Sequence, residues 1–214
     1  MNETHRGYFN SLATEWNSLM PDVPLLGEYL VRFGVSAGER ILDIGTGTGR
    51  TAAMLSERVG SDGRVFAVDL AERMLVEAQK TIRASNVHFL CADAGFIPIR
   101  DQAVDRVLIF SAFPHFPEPR LAVREMFRVL KKGGGLLVLH ACSSKALNQF
   151  HASLDGVVSR DVLPKANELL RLMRDCGFEK KQVLENEELY WVEVSKASSS
   201  ETNYQIARKN DGYI

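Results

Sequence analysis

The sequence predicts an α/β domain built on a doubly wound, mostly parallel sheet with helices on both faces. Five short apolar runs, beginning at Ile41, Val65, Val87, Val107 and Leu136, recur at intervals of 24, 22, 20 and 29 residues, and each interval has room for a crossover helix. The runs are continuously apolar rather than alternating, which is the pattern of strands covered on both faces. The first run, Arg40-Ile-Leu-Asp-Ile-Gly-Thr-Gly-Thr-Gly-Arg50, passes from strand into three glycines at alternate positions and on into a helix-forming stretch.

The elements follow in order. Residues 5–33 hold two helical stretches divided by Pro21-Asp22-Val23-Pro24. After the first strand come a helix over Thr51–Val59, the second strand, a helix over Glu72–Ala84, and then the third and fourth strands. Pro119–Leu130 reads as a helix that keeps Leu121, Met126, Phe127 and Leu130 for one side, with a Gly133-Gly134 turn before the fifth strand. Ser143–His151 reads as a further helix, and Lys165–Cys176 as an amphipathic one stopped by Gly177 at its C′ position. Two last strands, Phe178–Leu184 and Leu189–Val194, are joined by Glu185-Asn186-Glu187-Glu188 as a hairpin or longer turn. The serine-rich tail from Ala197 to Ile214 is expected to be flexible. The expected organisation is an N-terminal helical segment (1–36), the α/β domain (37–196) and the tail (197–214).

A chain of 214 residues suits a single such domain, able to bury roughly 70 % of its extended surface. With 26 Lys+Arg against 27 Asp+Glu and a net charge of −1, scattered rather than clustered, no nucleic-acid partner is expected. The cysteines, Cys91, Cys142 and Cys176, match neither a disulfide framework nor a C-x-x-C metal pattern and are expected reduced and buried. No apolar run approaches a membrane span and the N-terminus is not a signal peptide, so a cytoplasmic protein without a membrane partner is expected.

The glycine run carries the chemistry. Gly45, Gly47 and Gly49 allow positive φ and leave no Cβ, so a ligand can lie against bare backbone at the mouth of a helix whose first amides are unpaired. The third glycine follows the second by two residues, so the run misses the G-x-G-x-x-G fingerprint of dinucleotide sites. Asp43 would repel a diphosphate and suits a ligand with an ammonium or sulfonium centre.

Leu-Asp-Ile-Gly-Thr-Gly-Thr-Gly resembles the first motif of the class I S-adenosylmethionine-dependent methyltransferases. Four later segments agree: Val65–Leu70, Cys91–Ala94, Asp105–Phe110 and Glu125–Gly134, so that the resemblance spans about Glu39 to His140. It implies a Rossmann-like sheet of seven strands, the last antiparallel, and S-adenosyl-L-methionine as cofactor. Asp69, 24 residues after Gly45, then corresponds to the acid on the ribose hydroxyls, for which the usual separation is roughly 20 residues. Asp93, with Ala94 beside it, corresponds to the acceptor for the adenine amine, and Leu70 and Met74 would flank the adenine. Asp43, Gly45, Thr46, Gly47, Gly49 and Ser111 complete the expected cofactor site, with Thr46 and Thr48 as candidate donors to the cofactor carboxylate. For Met74, core packing is an equal alternative.

Methyl transfer from a sulfonium needs proximity above all, and a base only where the acceptor must lose a proton. Where DNA and protein amide methyltransferases carry Asn/Asp-Pro-Pro-aromatic, this chain has Ser111-Ala112-Phe113-Pro114-His115-Phe116-Pro117, a departure that favours a small-molecule acceptor. His115, His140 and His151 are the candidate catalytic residues. Asn148 and His151, at i and i+3 on one helix face, join His115, Tyr8 and Trp16 as candidate acceptor contacts. The segment Tyr8–Asn17 resembles the lid of small-molecule methyltransferases, with packing of Tyr8, Phe9 and Trp16 onto the domain as an equal alternative. His5 and His88 are read as ordinary surface or core histidines, and no metal is assigned because no H-x-E-x-H or similar spacing occurs. A nicotinamide-dependent oxidoreductase and a non-catalytic S-adenosylmethionine-binding protein are the alternatives.

Overall fold

The computed structural model describes residues 4–198. A single seven-stranded sheet organises them, made of β1 (Arg40–Ile44), β2 (Arg64–Asp69), β3 (Val87–Cys91), β4 (Val104–Phe110), β5 (Leu130–His140), β6 (Phe178–Glu185) and β7 (Tyr190–Lys196). The order across the sheet is β3-β2-β1-β4-β5-β7-β6. The first five strands pair in parallel, while β7 runs antiparallel between β5 and β6. This is the mixed sheet the sequence predicts, with its switch of direction between β1 and β4. Ligands in such sheets bind at the carboxyl ends of the strands, beside that switch.

The helices are α1 (His5–Leu12), α2 (Trp16–Leu19), α3 (Leu26–Arg32), α4 (Arg50–Val59), α5 (Glu72–Thr81), α6 (Pro119–Val129), α7 (Ser144–Ala152) and α8 (Ala166–Asp175), with short 3₁₀ turns at Phe113–His115 and Val157–Arg160. Two apolar layers hold them to the sheet. One face packs α6 and α8 through Val123, Met126, Leu169 and Met173 against Leu136, Val138 and Val192. The other packs α3 and α4 through Leu30, Leu55 and Val59 against Ile41, Val65 and Trp191. Gly177 has φ +99° after α8, the left-handed end expected of it, with Phe127 filling the space beside it.

Three expectations shift. The N-terminal stretch forms three helices rather than two, because Ala13, Thr14 and Glu15 break the first of them with a turn. β5 starts at Leu130, and Gly133-Gly134 lies inside it as an irregularity: the register jumps from Val104 opposite Leu130 to Arg106 opposite Gly135, with Gly133 at φ +77°. Glycine lets the strand bulge there instead of turning. None of the cysteines is fully buried as expected: Cys91 is exposed, Cys142 and Cys176 are half-buried, and all three are free. The 199–214 part of the tail lies outside the described residues. Among those described, no helix is long and apolar enough to cross a membrane.

Candidate active site

Each loop glycine has its own physical reason. Gly45, Gly47 and Gly49 all have positive φ, at 71°, 56° and 88°. A Cβ on Gly45 would stand 2.3 Å from the Cβ of Ala112, and one on Gly49 would stand 2.5 Å from Ile82 Cδ1. Those two glycines let the loop seat against the next strand end and against α5. A Cβ on Gly47 would meet only the Trp16 ring, 3.4 Å away at Nε1. Gly47 is therefore covered on that side by α2 through Trp16 alone.

Two acids brace the loop from below. Asp43, 1 % exposed in β1, accepts at Oδ2 from Thr46 Oγ1 (2.7 Å) and Thr51 Oγ1 (2.6 Å). Asp69, at the end of β2, accepts at Oδ2 from the Gly47 amide (2.8 Å) and at Oδ1 from the Ala71 amide (2.9 Å). Burial pushes the Asp43 carboxyl up to about 6 against the two hydroxyl hydrogen bonds. It raises Asp69 as well, opposed by the Ala71 and Gly47 amides. Asp93, at the end of β3, accepts from the Gly95 amide at 2.7 Å through Oδ1, and Ala94 beside it packs on the core. Leu70 is half-buried directly after Asp69.

The threonines do not offer the protons expected of them. Thr46 gives its hydroxyl proton to Asp43 and its amide to the Val68 carbonyl, while Thr48 gives its hydroxyl proton to Asn17 Oδ1 at 2.6 Å. Met74 is buried with Ala13 and Ala71 against Phe9 and Trp16, which is the packing alternative, although it backs the aromatic that covers Gly47. Ser111, exposed at the end of β4, sits at φ +54°. A non-glycine residue held there is strained, and such strain gathers at ligand sites.

A cluster of imidazoles gathers around one residue, Asp161, that the sequence does not single out. His115 Nδ1 is 2.6 Å from Asp161 Oδ2, and His5 Nε2 is 2.9 Å from Oδ1 and 3.0 Å from Oδ2. His5 is thus no ordinary surface histidine; α1 carries it 156 positions along the chain to this partner. His88, by contrast, stacks on Phe66 within the sheet. Burial raises the Asp161 carboxyl, and the hydrogen bonds from His115 and His5 outweigh this to leave it below the usual range. The His115 ring lies 5.2 Å from that of His151 and 4.9 Å, edge-on, from Phe9.

Asn148 and His151 share one face of α7 as expected, and both bond to backbone, Asn148 through both ends of its amide and His151 through Nδ1 alone. Asn148 donates to the Leu163 carbonyl (3.0 Å) and accepts from the Leu163 amide (2.8 Å). His151 Nδ1 is 3.0 Å from the Asp161 carbonyl. Asn148 therefore holds the segment that presents Asp161. Because a carbonyl only accepts, His151 carries its proton on Nδ1 and its lone pair on Nε2. His140 ends β5, 1 % exposed, against Tyr190. Burial, reinforced by His115 and His151, lowers it to about 3, so it stays neutral and is too weak a base for chemistry near pH 7.

Among the described residues, two buried side-chain polar atoms have no hydrogen-bond partner, Asp43 Oδ1 and His140 Nε2. Each leaves about 1–3 kcal/mol of desolvation uncompensated. They lie two strands apart in the sheet, β1 and β5 flanking β4, a lateral spacing of roughly 10 Å. One belongs to the glycine-loop half and the other to the histidine half.

Fold and loop together are those of the class of proteins that bind a nucleoside-type ligand at the carboxyl ends of a parallel sheet. The methyltransferase-domain family model matches residues 41–134. The ubiquinone/menaquinone biosynthesis C-methyltransferase UbiE of Yersinia pestis is 35 % identical over 173 residues, covering 76 % of this chain and 68 % of that protein. A SAM-dependent methyltransferase from Aquifex aeolicus superposes with a TM-score of 0.69 at 24 % identity, covering 90 % of this chain and 98 % of that one. The YcgJ protein from Bacillus subtilis does so with a TM-score of 0.69 at 19 % identity, covering 81 % and 98 %. The chain belongs to the class I S-adenosylmethionine-dependent methyltransferases. It is an enzyme, and S-adenosylmethionine is its cofactor; neither alternative drawn from the sequence is supported.

Proposed function

We infer that the enzyme methylates a small molecule with an apolar body and a weakly acidic O–H, S–H or C–H group, held between α1 and the histidine cluster. The observation that carries this is the pair of unpartnered buried atoms, Asp43 Oδ1 in β1 and His140 Nε2 at the end of β5, which would stand on either side of a strand-end crevice. Both ends of such a crevice fit a cofactor and an acceptor lying side by side.

The cofactor, when bound, supplies a methyl carbon activated by a positively charged sulfur. Asp69 suits the ribose hydroxyls with the carboxylate lone pairs that Gly47 and Ala71 leave over, and Asp93 Oδ2 suits the adenine amine. Asp43 Oδ1 suits the amino group, and Gly45, Gly47 and Gly49 give backbone to the methionine portion, with Ser111 at the rim. Leu70, Met74 and Ala94 wall the adenine side, Met74 by way of Trp16. Thr46 shapes the loop. Residues 4–36 act as a lid whose Tyr8, Phe9 and Trp16 exclude water.

On the acceptor side, His115 orients the reacting end, and His151 is the general base, its tautomer set by the Asp161 carbonyl so that Nε2 has the free lone pair. When the methyl group is transferred, that nitrogen would take up the proton that the acceptor atom loses. His140 contributes a neutral imidazole at the crevice wall. The apolar surface alongside, formed by Phe113, Phe116, Val162, Pro164 and Leu172, suits a nonpolar acceptor body, as does the UbiE relative, named for ubiquinone and menaquinone biosynthesis. The test is transfer of labelled methyl from S-adenosylmethionine to a panel of phenols, quinols, thiols and amines. Label in one low-mass class supports the reading, and label in protein or nucleic acid alone refutes it. His151→Gln is expected to lower kcat with S-adenosylhomocysteine affinity unchanged.

A further inference from the structure

We propose that His5, His115 and Asp161 form a binding site for one divalent transition-metal ion of the zinc class. This goes beyond the reading above and does not depend on it, since it concerns what these three side chains hold, with or without turnover. No sequence spacing announces the site, because its ligands come from α1, from the 3₁₀ turn after β4 and from the segment after the second 3₁₀ turn.

The donor set is two imidazole nitrogens and a carboxylate, a combination that suits zinc and its neighbours, whereas magnesium and calcium take oxygen ligands. Their ligand atoms all lie within 4.8 Å of one another. In a tetrahedral zinc site with bonds near 2.0–2.1 Å, ligand atoms stand about 3.3 Å apart. The present separations from imidazole nitrogen to carboxylate oxygen, 2.6 Å for His115 and 2.9 Å for His5, are those of hydrogen bonds, so an ion needs only a small opening of the cluster. Entry of the ion displaces the proton of each hydrogen bond, which a neutral imidazole shifts to its other ring nitrogen and an imidazolium releases to solvent, so that neutral imidazoles and carboxylate become ligands. Three protein ligands leave a fourth position for water or an acceptor heteroatom, the pattern of catalytic rather than structural zinc.

The surroundings are those of a supported site. The side chains of His5, His115 and Asp161 are 21 %, 17 % and 9 % exposed, sheltered yet reachable. Behind the carboxylate, the Asp161 carbonyl is held by His151 and the Leu163 backbone by both ends of Asn148. Such outer contacts fix ligand orientation. Phe9 covers one side of His115. Two of the three ligands are therefore fixed on the α/β domain, and the third arrives with α1. A bound ion joins the N-terminal helix to the domain.

The test uses the full chain without an affinity tag, stripped with a chelator that is then removed, and titrated with Zn²⁺ in a calorimeter and with Co²⁺ in a visible spectrometer. One ion per chain is expected, with the absorption of tetrahedral Co²⁺. His5→Gln, His115→Gln and Asp161→Asn should each weaken Zn²⁺ binding at least about tenfold, and His88→Gln should not. Circular dichroism verifies the folding of each variant. His5→Gln, on a solvent-facing helix, is the variant whose loss of binding is least open to an unfolding explanation. Hydrogen exchange in residues 5–19 should slow on adding Zn²⁺ to the parent and not to His5→Gln. Absence of stoichiometric uptake, or equal affinity in the parent and all three variants, overturns the proposal.

Discussion

Replacing Asp69 should separate its two duties, and the hydrogen bonds show why even the closest substitute fails. Each carboxylate oxygen already accepts a backbone amide, Gly47 at 2.8 Å and Ala71 at 2.9 Å. In Asp69→Asn one of these oxygens becomes an NH₂ group, so a donor faces a donor whichever way the amide turns. In Asp69→Ala both amides lose their acceptor, and so do the ribose hydroxyls expected above them. A hydrogen bond to a charged group is worth about 1.5–3 kcal/mol, and water partly replaces it at a half-buried site. The expected loss of S-adenosylmethionine affinity is therefore about 1–3 kcal/mol, roughly 5–150-fold, for Asp69→Ala, with Asp69→Asn close behind rather than intermediate. Isothermal titration with S-adenosylmethionine and S-adenosylhomocysteine measures it, alongside circular dichroism to establish folding. A folded Asp69→Ala with parental affinity would refute the ribose assignment. A benign Asp69→Asn would refute the argument that both oxygens must accept.

Gly45→Ala forces a Cβ to within 2.3 Å of Ala112 at φ +71°, and overpacking plus the left-handed penalty should cost about 2–5 kcal/mol by chemical denaturation; an unchanged midpoint would show that the loop yields freely. Asp43 has a folded-state value raised from 3.8 to about 6, so folding is unpenalised below pH 3.8. The penalty then grows to about 3 kcal/mol as pH rises to 6. Asp43→Asn should gain stability relative to the parent across that interval, and a difference independent of pH would count against the buried charge. Asn148→Leu removes two hydrogen bonds to Leu163 and should cost about 1–3 kcal/mol of stability while lowering kcat through displacement of Asp161; parental activity at equal stability would mean that the segment needs no clamp.

Most of the sheet is legible in the sequence because its signals are local, and so are the glycines and acids proposed to hold the cofactor. Continuous apolar runs mark buried parallel strands, and a carboxylate ending each of two successive strands, Asp69 and Asp93, marks the binding edge. Asp43 reads as a charge facing the ligand, and the fold shows that half of its work is inward, on Thr46 and Thr51. The histidine half is legible only in pieces. His115, His140 and His151 can be picked out by their positions after strands, but nothing near Asp161 distinguishes it from Asp155, and its partners lie 46 and 156 residues away. His5 is unremarkable until α1 is laid across the domain. The bulge in β5 is missed for a related reason: Gly133-Gly134 has the composition of a turn, and only pairing with β4 on one side and β7 on the other keeps it extended.

The place of β7 between β5 and β6 bears on how the chain is made. Val192 pairs with Val138 on one side and Val183 on the other, so the interior of the sheet is finished by residues 190–196, among the last of the described chain to leave the ribosome. Until they arrive, β5 presents Leu136, Leu137, Val138 and Leu139 along an open edge, and β6 has no strand to join. Exposed apolar edges of this kind recruit other chains. The half-made chain is at its most aggregation-prone just before residues 190–196 emerge, and a stall or truncation in the Glu185–Leu189 turn leaves that edge uncovered even though the glycine loop is already whole.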